Sequence, residues 1–372
     1  MNQSLKEERE LLSKPGDAIL ETIEYIKMSQ AELAERMGKT PSKINDIISG
    51  KEPITFQTAL QLEKVLNIDA KFWLNREMLY REKLSRIEQD EALEECKDWL
   101  TKHPIKELKS IGYIKADKAG PQMVSELLQF YGVASTVQWE NIYIEEYANT
   151  NFRKSSAHST ALASMGVWLR LGELGMRRLK LPEFNKDQFK LSLKKIKSLV
   201  TEFPEDYALQ LQNFCSESGV AVIYTACLPK APISGATRWI AGNPLIQLTD
   251  RYKTNDHFWF TFFHEAGHVL LHGKKEVFIE DFAEYKLNHE KETEANDFAT
   301  KWLLPNDFLD ELSDRITEQE VRKIARTYNT HPAIVIGRLQ NLGKIPHSFG
   351  SNFKIKISLT YVIEEQYKNE IL

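Results

Sequence analysis

The sequence predicts a mostly helical α+β protein, and three successive patterns along the chain support this. From Pro15 to about Asn75 the apolar residues recur every three or four positions, as in several short packed helices. From about Arg76 to Thr201 the pattern stays helical but is rich in charge. After Pro204 the run GVAVIYTACL and the stretch SGATRWIAGNPLIQLT indicate strands. We expect an all-α N-terminal domain, a helical middle region, a C-terminal domain of a small sheet with helices, and a tail, over residues 1–80, 81–203, 204–345 and 346–372.

The composition is that of a soluble globular protein. The chain has 372 residues, of which 42% are hydrophobic and 27% charged, which leaves room for two or three domains. No stretch approaches the roughly 18 consecutive apolar residues of a membrane span. The first ten residues, MNQSLKEERE, lack the apolar core of a secretory signal. We therefore expect a mature chain that starts near Met1, is cytoplasmic and has no membrane partner.

Cysteine usage argues against two kinds of site, and the net charge limits how the chain could bind nucleic acid. Cys96, Cys215 and Cys227 are odd in number and show no CxxC spacing, which argues against a disulfide framework and against a cysteine-based metal site. The net charge of -4 exerts no general attraction on nucleic acid. Any contact with DNA must therefore come from a local surface.

The N-terminal region has the pattern of a helix-turn-helix. Ser29 is placed to cap a helix that ends near Met37, and Glu32 three residues later predicts a capping box. Gly38 stands where that helix ends and Pro41 where the next one begins. The start and stop signals thus agree with the apolar spacing.

A helix-turn-helix predicts operator DNA as a partner, read in the major groove by the helix after the turn. The residues able to reach base edges are Ser42, Lys43, Asn45 and Asp46, with Gln30 and Lys51 near phosphates. Basic and acidic residues balance between positions 29 and 53, so phosphate contacts would give a monomer only modest affinity. A homodimer on a palindrome is the default for this class. The alternative is a helical bundle that contacts protein.

The sharpest signal is the string HEAGH, an HExxH motif within a long helical pattern. His264 and His268 are four residues apart, which is ~6 Å along a helix and a rotation of ~400°, so both imidazoles leave one face. They can bind one tetrahedral zinc ion. Glu265 then lies beside the open coordination position, where it can take a proton from the attacking water and pass it to the leaving amine.

A second helix beginning near Glu292 offers the third ligand. Glu292 shares a face with small residues that allow close approach to the first helix, whereas Glu294 points to the polar side, so we favour Glu292 as the ligand. Asn296, one turn later, is placed to orient a ligand by a hydrogen bond. His272 continues the histidine series but lies two turns from His264, and a cap at the helix C-terminus is its favoured role.

Four further residues are weaker candidates for contact with a substrate. Arg238 and Trp239, near Gly235, lie on a predicted strand to whose edge an extended peptide could add, although an ordinary core strand explains them equally well. Tyr328 or His331 could stabilise an oxyanion, against the more common roles of core residue and helix cap. They border a predicted helix pair, 318–328 and 332–340, that could also imitate a second helix-turn-helix.

Two families are similar to parts of this sequence. The segments RYKTNDHFWFTFFHEAGHVLLHG, KETEANDFATKWLLP and HPAIVIGRLQ resemble the ImmA/IrrE metallopeptidases, over residues 214–342. The segment from KPGDAILETIEYIKMSQAELAERMGKTPSKINDI to LNIDAKFWLN resembles the HigA-type antitoxins of the Xre helix-turn-helix class. The resemblance implies a zincin-like domain with zinc on His264, His268 and Glu292, Glu265 as the base, and a repressor-like protein as the substrate.

Two classes of function follow from these observations. The first is a DNA-binding transcriptional regulator with a zinc-dependent endopeptidase domain. The second is a non-catalytic antitoxin or repressor that binds DNA and a toxin partner, with zinc in a structural or sensing role. The intact Glu265 favours the enzyme, because a structural zinc site fills its fourth position with Cys or His and needs no base.

Overall fold

The computed structural model describes residues 3–145, 156–274, 277–280, 289–360 and 363. The chain divides into two compact units, residues 1–98 with 116–125, and residues 99–115 with 126–372. The described elements are mostly helices with one small sheet, so the predicted fold class is confirmed. The limits proposed above at residues 80, 203 and 345 stay predictions, and part of the predicted tail lies outside the described residues.

The first unit is built from helices. Its elements are α1 (Gln3–Glu10), α2 (Pro15–Tyr25), α3 (Gln30–Arg36), α4 (Pro41–Ile48), α5 (Phe56–Leu66) and α6 (Ala70–Glu95). The apolar residues of the helical pattern form its core, among them Ile19, Leu33, Ile44 and Leu62, packed around the fully buried Trp73. Local spacing therefore predicted much of this core, although Ile26, which continues the same spacing, is exposed.

The turn between α3 and α4 forms as predicted, with one correction. Ser29 caps α3 by accepting from the Glu32 backbone N–H at 3.1 Å, and Gly38 adopts φ +62°. The capping box itself is wrong, because the Glu32 carboxylate accepts from the Arg36 guanidinium at 2.7 Å instead of bonding back to the cap. Thr40 then caps α4, whose first residue is Pro41.

The remaining elements follow in chain order. The helices are α7 (Lys97–Leu100), α8 (Ile105–Ser110), α9 (Pro121–Tyr131), α10 (Thr136–Trp139), a π-helix (Glu140–Glu145), α11 (Ser156–Arg177), α12 (Lys186–Glu202), α13 (Tyr207–Ser216), α14 (Asn255–Leu271), α15 (His289–Leu303), a 3-10 helix (Asn306–Glu311), α16 (Glu318–Thr327), α17 (Pro332–Asn341) and a 3-10 helix (Ser351–Phe353). The strands are β1 (Ala221–Tyr224), β2 (Gly235–Ile240), β3 (Asn243–Leu248) and β4 (Phe278–Ile279).

The four strands form one sheet in the order β1-β3-β2-β4. β1 pairs parallel with β3, and β2 pairs antiparallel with β3 and with β4. Alternate residues belong to two different buried clusters, as the pleat requires: Val222 and Tyr224 pack with α14, whereas Ala221 and Ile223 pack with Met176 of α11. The sheet is therefore covered on both faces.

Helix α11 supplies the second cover, which the charged pattern of the middle region did not reveal. Residues 161–172 are buried without a break. Two polar side chains of the sheet bond to the carbonyl oxygens of α11: Arg238 Nη2 donates to Leu169 at 2.6 Å, and Gln247 Nε2 donates to Trp168 at 2.6 Å. These bonds satisfy buried polar groups that would otherwise be costly.

Gly172 on α11 gives a stability prediction. A Cβ at this position would lie 2.0 Å from Gln247 Oε1, so Gly172→Ala must displace a side chain that also bonds Thr225. We expect the variant to unfold at lower urea concentration, with a loss of about 1–3 kcal/mol, as for overpacked cores. The control is Gly120→Ala, where an added Cβ meets nothing within 4 Å and the midpoint should barely move. Equal midpoints for both variants would contradict the packing argument.

Two expectations about the whole chain, on the cysteines and on membrane spans, can be compared with these elements, and the C-terminal segment adds a further observation. Cys96, Cys215 and Cys227 are free thiols, as predicted. Within the described residues, no helix is long and apolar enough to cross a membrane. Near the C-terminus, Ile357 and Leu359 are buried in the same core as α14, and the Ile355 backbone exchanges two hydrogen bonds with Asn255. This segment thus fixes the start of the helix that carries the HExxH motif.

Candidate metal centre

Helix α14 presents the two histidines of the motif on one face. It begins after Thr254 and ends before His272, close to the limits expected from the sequence, and its residues from Phe262 to Leu270 are all buried. His264 and His268 are almost fully buried, and their Nε2 atoms lie 3.0 Å apart. Both imidazoles therefore direct their Nε2 atoms to the same point beside the helix.

Helix α15 brings a carboxylate to the same place. Glu292 Oε2 lies 3.1 Å from His264 Nε2, and Glu292 Oε1 lies 3.7 Å from His268 Nε2. The helices approach closely because the facing residues are small: a Cβ on Gly267 would lie 3.2 Å from the Ala295 Cα atom. One ligand atom from each of His264, His268 and Glu292 lies within 4.8 Å of the others. We name this group the donor cluster.

Glu265 lies at the sheet side of α14. It is fully buried, and Thr237 of β2 donates a hydrogen bond to its Oε2 atom at 2.6 Å. Its Oε1 atom has no hydrogen-bond partner among the described residues. Burial raises the pKa of this carboxyl well above its usual value. One oxygen of the group is therefore fixed by Thr237, and the other is buried without a hydrogen bond among the described residues.

Position 235, opposite this carboxyl, has room only for glycine. A Cβ on Gly235 would lie 2.6 Å from both Glu265 Oε1 and the Thr261 methyl carbon. The sequence singled out Gly235 as part of a peptide-binding edge, whereas the structure shows a position that leaves room for Glu265.

The charges in the donor cluster are coupled. Burial alone would lower the pKa of His264, but its hydrogen bond with Glu292 and the negative charge of Glu280 raise that pKa to about 9. Burial and the neighbouring His264 lower the pKa of His268 to about 4. Burial opposes ionisation of Glu292, but hydrogen bonds from both imidazoles lower its pKa to about 2. Two imidazole nitrogens 3.0 Å apart disfavour a positive charge on both rings at once, so the titrations of His264 and His268 depend on each other.

The chemistry of the donor cluster fits a divalent metal. Two imidazole nitrogens and one carboxylate form the ligand set of catalytic zinc sites in which the fourth position stays open. No cysteine is within this group. The buried Glu265 oxygen without a hydrogen-bond partner belongs to the residue next to His264 on the same helix.

Each histidine also has a partner on its other ring nitrogen. His264 Nδ1 lies 3.0 Å from Asn296 Oδ1, the contact for which Asn296 was selected. His268 Nδ1 lies 2.8 Å from His272 Nδ1, and His272 Nε2 lies 2.9 Å from Glu294 Oε2. His272 is the residue that ends α14, as predicted, and it has this additional contact. The sequence signal for it was the spacing of four residues from His268.

The structure does not support Arg238 and Trp239 as an exposed edge. β2 pairs with β3 along its whole length and with β4 at Ala236 and Thr237, so its second edge is covered at those two residues, and peptide addition beyond them stays a prediction. Arg238 is buried and donates to α11, while Trp239 packs edge-on against Phe184. The short β4, which the sequence did not indicate, occupies this edge only at Ala236 and Thr237.

Tyr328 and His331 have other partners than the donor cluster. The Tyr328 hydroxyl donates to Glu311 Oε1 at 2.9 Å. His331 caps α17, since its Nδ1 accepts from the Ala333 N–H at 3.1 Å. Among the described contacts, neither side chain reaches the cluster, and the cap role weighed for His331 is observed.

The residues expected to contact DNA lie at the surface of the first unit. Gln30, Ser42, Lys43, Asn45 and Lys51 are exposed, and Asp46 is half-buried. Lys43 forms an ion pair with Glu52. All six are therefore accessible, although the ammonium of Lys43 already has a partner.

Comparison with known proteins assigns one segment near each end of the chain. Residues 215–340 match the model of a peptidase family described as the IrrE N-terminal-like domain, and residues 26–73 match a helix-turn-helix model. The chain is 38% identical over 79 residues to Virulence-associated protein I of Dichelobacter nodosus, which is 20% of this chain and 69% of that protein. It is 32% identical over 62 residues to the uncharacterized HTH-type transcriptional regulator YddM of Escherichia coli (strain K12), 17% of this chain and 66% of that protein.

These matches agree with the ImmA/IrrE resemblance and with the helix-turn-helix class of the N-terminal segment, while its HigA type stays a prediction. The helix-turn-helix match spans α3, α4 and α5, and the peptidase match spans the sheet, α14 and α15. The chain therefore belongs to the Xre-type helix-turn-helix regulators and joins that DNA-binding domain to an IrrE/ImmA-like metallopeptidase domain.

Proposed function

We propose that this protein is a transcriptional regulator whose C-terminal half is a zinc-dependent endopeptidase of the HExxH type. The observation that carries the proposal is the convergence of His264, His268 and Glu292 beside the buried carboxyl of Glu265. The three donors would hold the ion, and Glu265 would act as general base. The proposed substrate is a repressor or a related regulatory protein.

The chain's own residues supply the steps of proton transfer. When bound, zinc would supply Lewis-acid chemistry, polarising the peptide carbonyl and acidifying water. Thr237 fixes one oxygen of Glu265, so that the free Oε1 accepts the proton of the attacking water. The same carboxyl can then donate that proton to the leaving amine. Asn296 holds the His264 ring during these steps.

A cavity of about 350 Å³ supports a polypeptide as the substrate. It is lined by Phe260, Thr261 and Glu280, and it continues to Leu304 and Ile334. The Phe260 ring centre lies 6.4 Å from that of His264, and Thr261 is one turn before Glu265. The lining of the cavity includes none of the donor-cluster residues, but it begins one helical turn from Glu265, where its apolar residues would take a side chain of the proposed substrate.

The first test is the metal content of the purified protein, measured by inductively coupled plasma mass spectrometry. We expect about one zinc per chain in the wild type and none in His264→Ala after dialysis. A wild-type protein that holds no zinc at neutral pH, with added zinc in the buffer, would reject the peptidase proposal.

A second candidate is a non-catalytic repressor or antitoxin that holds zinc for structure or sensing. The observation that favours it is the small size of the two curated relatives. They match a fifth or less of this chain, and those 79 and 62 residues already cover 69% and 66% of their own lengths, which leaves too little chain for a peptidase domain like residues 215–340. Under this proposal a toxin would be bound, as the HigA-like resemblance implies, without being cut. A wild-type protein that binds zinc but cleaves nothing would favour this candidate.

For the DNA-binding half we propose that α4 reads base edges through Ser42, Lys43, Asn45 and Asp46. Their exposure on the helix that follows the turn supports this role. Gln30 and Lys51 would contact phosphates. The partner would be an operator bound by a homodimer, in the cytoplasm.

Lys51 provides a test that needs no operator sequence. If Lys51 contacts a phosphate, Lys51→Ala should weaken binding to any duplex and reduce the slope of log K against log salt by about one. Fluorescence anisotropy with a labelled random duplex between 50 and 200 mM salt measures both quantities. The matched control is Lys64→Ala, an exposed lysine of α5 in the same unit. An identical slope for the two variants would remove Lys51 from the interface.

A further inference from the structure

We propose that His272 and Glu294 form a hydrogen-bond relay that positions His268 as a metal ligand. The relay consists of two contacts, 2.8 Å from His268 Nδ1 to His272 Nδ1 and 2.9 Å from His272 Nε2 to Glu294 Oε2. It rests on the metal site of the proposed function. It assigns a role to Glu294, the carboxylate that was rejected as a ligand.

The direction of every hydrogen bond in the relay follows from the ligand atom. His268 Nε2 faces Glu292 and His264, so a ligating His268 must keep its lone pair on Nε2 and its proton on Nδ1. That proton is donated to His272 Nδ1, which must then be an acceptor. The proton of His272 consequently lies on Nε2 and is donated to Glu294. One carboxylate thus fixes the tautomers of two rings.

Packing holds the two rings in this arrangement. The His268 ring stacks on Phe278 of β4, with centres 3.9 Å apart, and His272 lies 5.2 Å from the same ring. The His272 side chain is only 2% exposed, while that of Glu294 is 55% exposed. The relay therefore begins at the surface and ends at the buried donor cluster.

The two ligating histidines are supported differently. His264 has the neutral amide oxygen of Asn296 as its acceptor, whereas His268 is linked to a negative carboxylate through a second imidazole. A carboxylate acceptor increases the basicity of the imidazole and its strength as a ligand. We expect loss of the relay to weaken metal binding without removing a ligand atom.

The test compares three variants of the full chain by zinc affinity, measured by competition with a chromophoric chelator. His272→Phe removes the acceptor for His268 and should weaken binding 10–100-fold. Glu294→Gln, at an exposed site, should weaken it about tenfold. The matched control is Asp297→Asn, which removes the same charge from the exposed face of α15 and should stay within about twofold of wild type. Thermal melting of the metal-free proteins followed by circular dichroism controls for folding.

A second measurement examines the relay directly. In the zinc-loaded wild type, nitrogen-15 NMR of the histidine rings should show the proton of His268 on Nδ1 and that of His272 on Nε2. A His272 proton on Nδ1 would overturn the proposal, and so would equal effects of Glu294→Gln and Asp297→Asn, which would indicate a general charge effect. Normal zinc affinity in both relay variants would reject the relay and leave the metal site standing. A wild type that binds no zinc would reject both.

Discussion

Glu265→Gln is expected to abolish peptide cleavage while zinc content stays at the wild-type level. The glutamine side chain has the same shape and can keep the hydrogen bond with Thr237, but it cannot take a proton. Because Glu265 touches none of the three donor atoms, metal binding should not change. General acid-base catalysis contributes about 10²–10⁴-fold, so the rate should fall by at least that factor.

The assay uses zinc-loaded protein and a peptide library made from a digested bacterial proteome, with new peptide ends counted by mass spectrometry. His264→Ala gives the baseline without metal. Glu290→Gln, an exposed residue in the first turn of α15, is the matched control for the amide substitution and should cleave normally. Wild-type rates in Glu265→Gln would exclude it as the base.

Glu292→Ala is expected to lose zinc, which is the second large effect. Its two oxygens lie 3.1 and 3.7 Å from the histidine nitrogens, so its removal leaves two ligands where three converged. The loss of affinity should exceed the 10–100-fold expected for an orienting residue such as Asn296. Zinc per chain after dialysis measures this, with Glu290→Ala as the exposed control on the same helix.

The comparison of Glu292 with Glu294 makes this experiment decisive. If Glu292→Ala kept its zinc while Glu294→Ala lost it, the assignment of the third ligand would be wrong. The structure argues against that outcome, because Glu294 is directed to His272 rather than to the other donors.

Local sequence signals determined the first unit and the long motif helix. Ser29, Gly38 and Pro41 set the ends of two helices through caps and backbone preferences, which act between neighbouring residues. The histidine spacing placed His264 and His268 on one face for the same reason. The small residues around Glu292 indicated the helix face that lies against α14. The capping box failed at Glu32 because the Arg36 side chain, one turn away, competes for the same carboxylate.

Only the tertiary structure decided what each residue meets across the fold. Arg238 looked like a substrate contact at a strand edge, but it is buried and donates a hydrogen bond to Leu169 of α11, which the sequence of the strand does not indicate. Position 235 has room only for glycine because the Glu265 carboxyl lies against it. His272 contacts both His268 and Glu294. Caps, turns and helical faces depend on residues a few positions apart and can be predicted from the chain. The pairing of β2 with β4, the contact of Arg238 with Leu169 and that of His272 with Glu294 join residues 22 to 69 positions apart, which only packing brings together.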